Sequence, residues 1–166
     1  SLMSELARHY DIPTKQVEAL CLQAPIRAET AWNAMGISGP DDVHEFYRNN
    51  RWYPFELMHW HTALQERSFL DVVLCSRLAE CLDLSRCLDY GCGVGSHSLF
   101  LAGQGFEVVA ADVSRPLLDL CKTRFETRGV DAQVIDVSRQ EVTGSYDLIL
   151  LLDVLEHIPE PFNVLN

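Results

Sequence analysis

The chain has 166 residues, 48% of them hydrophobic, and a formal net charge of −11. That length suits one domain with an appendage and enough apolar content for a core. The acidity argues against a nucleic-acid phosphate backbone as partner, since only scattered arginines oppose it. No basic stripe interrupts the pattern.

No apolar run reaches the length of a membrane span and no signal peptide opens the sequence, so a cytoplasmic protein without membrane attachment is expected. Six cysteines, at 21, 75, 81, 87, 92 and 121, form no Cys-x-x-Cys pair and have no histidine at zinc spacing. They read as free thiols in a reducing compartment, and no metal site is expected. Ser1-Leu2 ahead of Met3 reads as an addition outside the fold.

Residues 1–84 read as a helical N-terminal segment. Ser4–Tyr10 and Thr14–Leu22 have the pattern of short helices, the second with Pro13 at its start. Trp32, Gly36, Gly39 and Pro40 mark a loop, and Asp41 and Asp42 suit the cap of a helix through Tyr47. Pro54 precedes a helical pattern over Phe55–Arg67. An amphipathic helix over Ser68–Leu82 follows, with apolar positions at Leu70, Val73, Leu74, Leu78 and Leu82. The aromatic run FYRNNRWYPFELMHWH, residues 46–61, contains Trp52, Tyr53, Phe55, His59, Trp60 and His61. It fits either core packing or the lining of a pocket upstream of the glycine loop.

From residue 85 to 166 the pattern alternates strand and helix. Strand one spans about 86–90, helix A 95–104, strand two 106–111, and helix B 114–128. Helix B has Ser114 as cap, Pro116 in its first turn and Gly129 as terminator. Strand three covers about 131–135. Strand four, YDLILLL at 146–152, is a continuous apolar run of the kind a doubly covered strand shows. Alternating β and α with such runs predicts an α/β fold with a parallel sheet and helices on both sides.

Chemistry concentrates at the first turn. LDYGCGVG, residues 88–95, sets three alternating glycines between a strand and a helix, and the next strand ends on Asp112. A carboxylate there suits ribose hydroxyls, and the glycines allow close backbone approach to a nucleoside-bearing cofactor. Asp136 follows strand three in VIDVS, and strand four runs into LLDVLEHIPEP, residues 151–161. The acids also suit helix caps, and Asp89 also suits a buried acid held by loop amides.

These four features together, over roughly residues 86–162, resemble the class I S-adenosylmethionine-dependent methyltransferases of small-molecule type. The resemblance implies a Rossmann-like, doubly wound, mainly parallel sheet, here partial with order 3-2-1-4. It also implies methyl transfer from S-adenosylmethionine to a small-molecule acceptor. Under it, the backbone of Gly91, Cys92, Gly93 and on to Gly95 lies beneath the methionine and ribose, and Asp89 sits by the amino group. Asp112, with Val113 beside it, takes the ribose hydroxyls. Asp136 accepts from the adenine amine with Val137 beside the ring, and Leu152 supplies backbone contacts next to Asp153. No catalytic base is assigned. His97 reads as a surface histidine or a contact, and Glu156-His157 as a reactive pair or a packing and helix-start element.

The full family sheet has seven strands, and this sequence runs out after the fourth. An apolar fourth strand on an open edge would favour a homodimer of the fragment or rearrangement of residues 159–166 over it. Two rivals stand beside this reading. A nicotinamide-dependent oxidoreductase shares the glycine loop and the strand-two acid but gives no role to Asp136 or LLDVLEH. A non-catalytic module on the same fold would use the helical segment to dock a protein.

Overall fold

The computed structural model describes residues 1–63 and 65–165. Among the described residues, the helices before the first strand are α1 Leu2–Tyr10, α2 Thr14–Met35, α3 Pro40–Asn49, α4 Tyr53–Ala63 and α5 Gln65–Cys81. The alternating half follows as β1 Arg86–Tyr90, α6 Ser96–Gly103, β2 Glu107–Asp112, α7 Arg115–Arg128, β3 Gln133–Asp136 and β4 Leu148–Leu150. A 3₁₀ turn, Leu155–His157, and a short α8, Phe162–Leu165, close the chain.

The four strands form one parallel sheet in the order β3-β2-β1-β4, as expected from the sequence. Period-two alternation sorts the side chains onto two faces. Cys87, Val108, Ala110, Val134 and Leu150 point to the face covered by α5, α6 and α7. Leu88, Val109, Ala111 and Ile135 point to the other, where they meet Tyr146, Val142 and Val137 of the connecting segments. Among the described residues the helices pack on one face, whereas the apolar strand runs had suggested helices on both. Ile149, on the second face of β4, is 52% exposed. β4 is also shorter than the expected 146–152 run: Asp147 turns its carboxylate back onto the N–H groups of Ser85 and Arg86 and so ends the ladder there.

The helical segment departs from its sequence pattern in three places. α2 continues past Leu22 through Pro25 to Met35, and Gly36 terminates it. Burial overrides the missing proline N–H: Cys21, Ala24 and Ala28 are packed away, the first two in the same cluster as Phe55 and Met58 of α4. Trp32 is therefore helical rather than in a loop, and sets its ring edge against Phe46 of α3, centroids 4.9 Å apart. Residues 65–81 are helical through the break expected between Arg67 and Ser68, and residue 64 of the expected Phe55–Arg67 helix lies outside the described residues.

On α5, the apolar stripe is not the packed face. Leu70, Leu74, Leu78 and Leu82 are all more than half exposed, while Val72, Ser76 and Ala79 are buried. Val72 and Ala79 pack with Leu101 of α6 and with Cys87, Val108 and Leu150 of the sheet, and the leucines turn outward. Ser1 and Leu2 also belong to the fold. The Ser1 hydroxyl accepts from the Ser4 N–H to cap α1, and Leu2 packs on the core of α1, α2, α4 and α7. The cap expected at residues 41–42 is made by Asp42, whose carboxylate accepts from the Ser38 N–H and hydroxyl, both at 2.9 Å.

Candidate functional site

β1 and β2 end side by side, and their ends make the site. The Gly91 and Cys92 N–H groups donate to the Ala111 carbonyl at 2.7 and 3.0 Å, so the glycine turn is pinned to the end of β2. The next residue, Asp112, is 8% exposed. Its carboxylate accepts from the Gly93 N–H at 2.9 Å and from the Ser114 N–H at 2.8 Å. Each oxygen keeps a further lone pair for a ligand. Burial pushes the Asp112 carboxyl up, and the Ser114 and Gly93 amides pull against it. The Val137 N–H donates to the Asp112 carbonyl at 3.0 Å, which sets β3's exit against the same point.

These groups line a cavity of about 430 Å³, within the range of small-ligand sites. Gly91, Cys92, Gly93, Asp112, Val113 and Val137 form its floor, and Leu152 and Asp153 border it from beyond β4. The helical segment closes it through Tyr47, Tyr53, Leu57 and His61. Ser114 also faces it, and its buried Oγ has no hydrogen-bond partner. Tyr53 is deeply desolvated and its phenol is held well above its ordinary value.

Residues 61–166 match the family described as methyltransferase domain. The chain belongs to that family. With it comes the class I S-adenosylmethionine-dependent methyltransferase superfamily, the resemblance already visible in the glycine turn and its acids. The chain is 32% identical over 102 residues to the magnesium-protoporphyrin O-methyltransferase of Rhodobacter capsulatus, covering 60% of this chain and 46% of that protein. It is 31% identical over 85 residues to the ubiquinone biosynthesis O-methyltransferase of Burkholderia vietnamiensis, covering 49% and 37%. It thus spans less than half the length of these curated relatives. A solved structure of a Pyrococcus horikoshii protein shares the fold at a TM-score of 0.50 and 24% identity, over 62% of this chain and 47% of that one.

In this methyltransferase domain two of the expected acids lie away from the cavity lining. Asp89 is 2% exposed and accepts from the Ser98 hydroxyl at 2.6 Å, inside the packing of β1 against α6. Asp136 accepts from the Ser138 N–H at 3.0 Å and from its hydroxyl at 2.5 Å, and pairs with Arg139 and Arg115 at 3.5 and 3.8 Å. Its neighbours Val137 and Ser138 reach the cavity instead.

Sequence reasoning missed the contribution of α3. His44, Tyr47 and Arg48 line the cavity from one helical face, and the i, i+3, i+4 spacing was the available signal. Tyr47 meets His157 of the 3₁₀ turn, hydroxyl to Nδ1 at 3.1 Å, so the two segments join over the cavity. His61, from the aromatic run, both lines the cavity and shares a hydrogen bond with Ser96 at 2.9 Å. Burial pushes His61 down to about 4, which keeps it neutral near pH 7. The aromatic run divides accordingly: Phe55 and Met58 are core, Tyr53, Leu57 and His61 face the cavity, and Trp60 is exposed.

Among the described residues no helix is long and apolar enough to cross a membrane, and no three His, Cys, Asp or Glu side chains are grouped to hold a metal ion.

Proposed function

We propose that this chain is the cofactor-binding part of an S-adenosylmethionine-dependent methyltransferase that acts on a small-molecule acceptor. The observation that carries the reading is Asp112. It is a buried carboxylate held rigid by two backbone N–H groups, with lone pairs free, at the floor of a cavity walled by a glycine turn. Beside it the buried Ser114 hydroxyl lacks a partner, so the donor set on this floor fits the two hydroxyls of a ribose.

Asp112 and Ser114 would hold the ribose, the Gly91–Gly93 backbone would take the amino-acid end, and Val137, Ser138 and Leu152 would border the base. Bound S-adenosylmethionine supplies a methyl group made electrophilic by its sulfonium. This chain's part is to bind, orient and exclude water. The Tyr47–His157 contact lies over the cavity and closes one side of it, and Tyr53 and Leu57 shield it with apolar surface. The acidic chain supports a small molecule rather than nucleic acid as acceptor. Six free cysteines support a reducing, cytoplasmic setting.

Calorimetric titration with S-adenosylhomocysteine and with NADH tests this. Saturable binding of the first and none of the second is expected. Tighter binding of NADH would replace the reading with the oxidoreductase one.

A further inference from the structure

The cavity is chemically lopsided. Its lining carboxylates are Asp112 at the end of β2 and Asp153 beyond β4, whereas α3 contributes His44 and Arg48 and the 3₁₀ turn contributes His157. His61 of α4 and His97 of α6 also line the cavity, but its arginine, Arg48, shares one face of α3 with His44, in a chain whose net charge is −11. Arg48 is half-buried and gives one guanidinium arm to Glu45 at 3.3 Å. Its Nε is buried and has no hydrogen-bond partner. Arg48 lines the cavity, and a guanidinium with donor capacity unspent fits an oxyanion better than any neutral group. The surrounding wall is aromatic and aliphatic, through Tyr47 and Ile158.

We propose that the acceptor is an amphipathic anion, a small aromatic or aliphatic molecule bearing a carboxylate or phosphate that Arg48 recognises with His44 on the same face of α3. The proposal rests on the methyltransferase reading of the same cavity and names its acceptor class. The negative charge seated at Arg48 has two conceivable sources, the acceptor or the cofactor's own carboxylate, and the test separates them.

The probes are benzoate and benzamide, matched in shape and differing in charge. Nitrogen-15 spectra of the arginine Nε–H groups are recorded on the chain with and without saturating S-adenosylhomocysteine, and the Arg48 signal is assigned by Arg48→Lys. Benzoate is expected to shift the Arg48 signal saturably in the loaded protein, at least about tenfold tighter than benzamide, the ratio a charged hydrogen bond supplies. In Arg48→Lys the backbone shifts caused by benzoate at Tyr47 should need about tenfold more ligand.

Equal response to both probes, or none, overturns the proposal. So does an Arg48 signal that moves with S-adenosylhomocysteine but not with 5′-methylthioadenosine and then ignores benzoate, because the cofactor's carboxylate is then the anion. Failure of the methyltransferase reading looks different. The Gly91 and Gly93 amides would not respond to S-adenosylhomocysteine, and benzoate on the unloaded chain would still report whether Arg48 binds an anion.

Discussion

Arg124 of α7, 3% exposed, donates to Glu5 of α1 at 2.7 Å, 119 residues away in sequence. The same guanidinium donates to the Val94 carbonyl and to Ser96 Oγ, so it joins the first helix, the glycine turn and α6. Arg128 completes the arrangement on the other Glu5 oxygen, and His9 Nδ1 meets Thr123 Oγ1 at 2.9 Å alongside. The helical segment is therefore locked to the methyltransferase domain by a nearly dry ion pair.

Removing Glu5 leaves Arg124 buried and uncompensated. Glu5→Ala should cost about 3–5 kcal/mol of unfolding free energy at pH 7, measured by urea denaturation. Burial alone would raise the Glu5 carboxyl, but the hydrogen bond from Arg128 and the charge of Arg124 outweigh it and hold it below its ordinary 4.5. A depressed acid stabilises fully above that value and loses its contribution as pH falls through the folded one. The native chain should therefore lose stability below pH 4.5 more steeply than Glu5→Gln. Parallel acid limbs would refute this.

Ser96 Oγ accepts from Arg124 and keeps its own proton as a donor; the expected pairing gives that proton to His61 Nδ1, which places the ring proton of His61 on Nε2. Nitrogen-15 shifts of the His61 ring should show an unprotonated Nδ1 at pH 7; a protonated Nδ1 would sink the assignment. With the folded value pushed down to about 4 from 6.5 by burial, His61 contributes stability above pH 6.5 that is lost as pH falls toward 4. His61→Gln should flatten that window.

Asp112 serves the backbone as well as a ligand, so its replacement acts twice. Asp112→Ala should weaken S-adenosylhomocysteine binding by about 1.5–3 kcal/mol, and it should also destabilise the fold by about 1–3 kcal/mol for each of the Gly93 and Ser114 N–H groups left buried and unpaired. Asp112→Asn keeps an acceptor and should separate the two effects. Unchanged affinity in a folded variant, read by calorimetry, would mean that the ribose is held elsewhere.

Asp89 behaves oppositely to Glu5. Burial raises its carboxyl, and the Ser98 hydrogen bond offsets this only in part. A raised acid contributes stability below its ordinary 3.8 and loses it as pH climbs through the folded value. Asp89→Asn should accordingly be at least as stable as the native chain at pH 7, and should lack the native gain on acidification. Loss of stability at pH 7 in urea titrations would show that the ionised form is wanted for the fold.

Gly91 sits at φ +78°, and a Cβ there would fall 2.2 Å from Val154 Cγ2. Gly91→Ala should cost more than the 1–2 kcal/mol or so of left-handed strain, because the segment beyond β4 must also move. Adding Val154→Ala should recover the steric part and leave the strain. Additive costs in the double variant, by the same urea assay, would place Val154 out of contact.

The residues of LDYGCGVG, Asp112 and the apolar runs determined the alternating strands and the glycine turn, and through them the family resemblance that implied the sheet order, because strand–turn–helix chemistry is local: glycines, caps and period-two alternation act within a few residues. Tertiary structure decided what depends on competition between faces. Packing of Cys21, Ala24 and Ala28 carried α2 through Pro25, and on α5 Val72 and Ala79, not the leucine stripe, took the packed face. Asp89 and Asp136 show the same limit within the site. Their positions in sequence are equivalent to that of Asp112, but Ser98 claims one and Ser138 with two arginines the other. Of these three acids, Asp112, whose carboxylate is held by the Gly93 and Ser114 amides, is the one that lines the cavity. The meeting of α3 with His157, 110 residues apart in sequence, is invisible to any local pattern, since it exists only once the helical segment and the sheet have packed together.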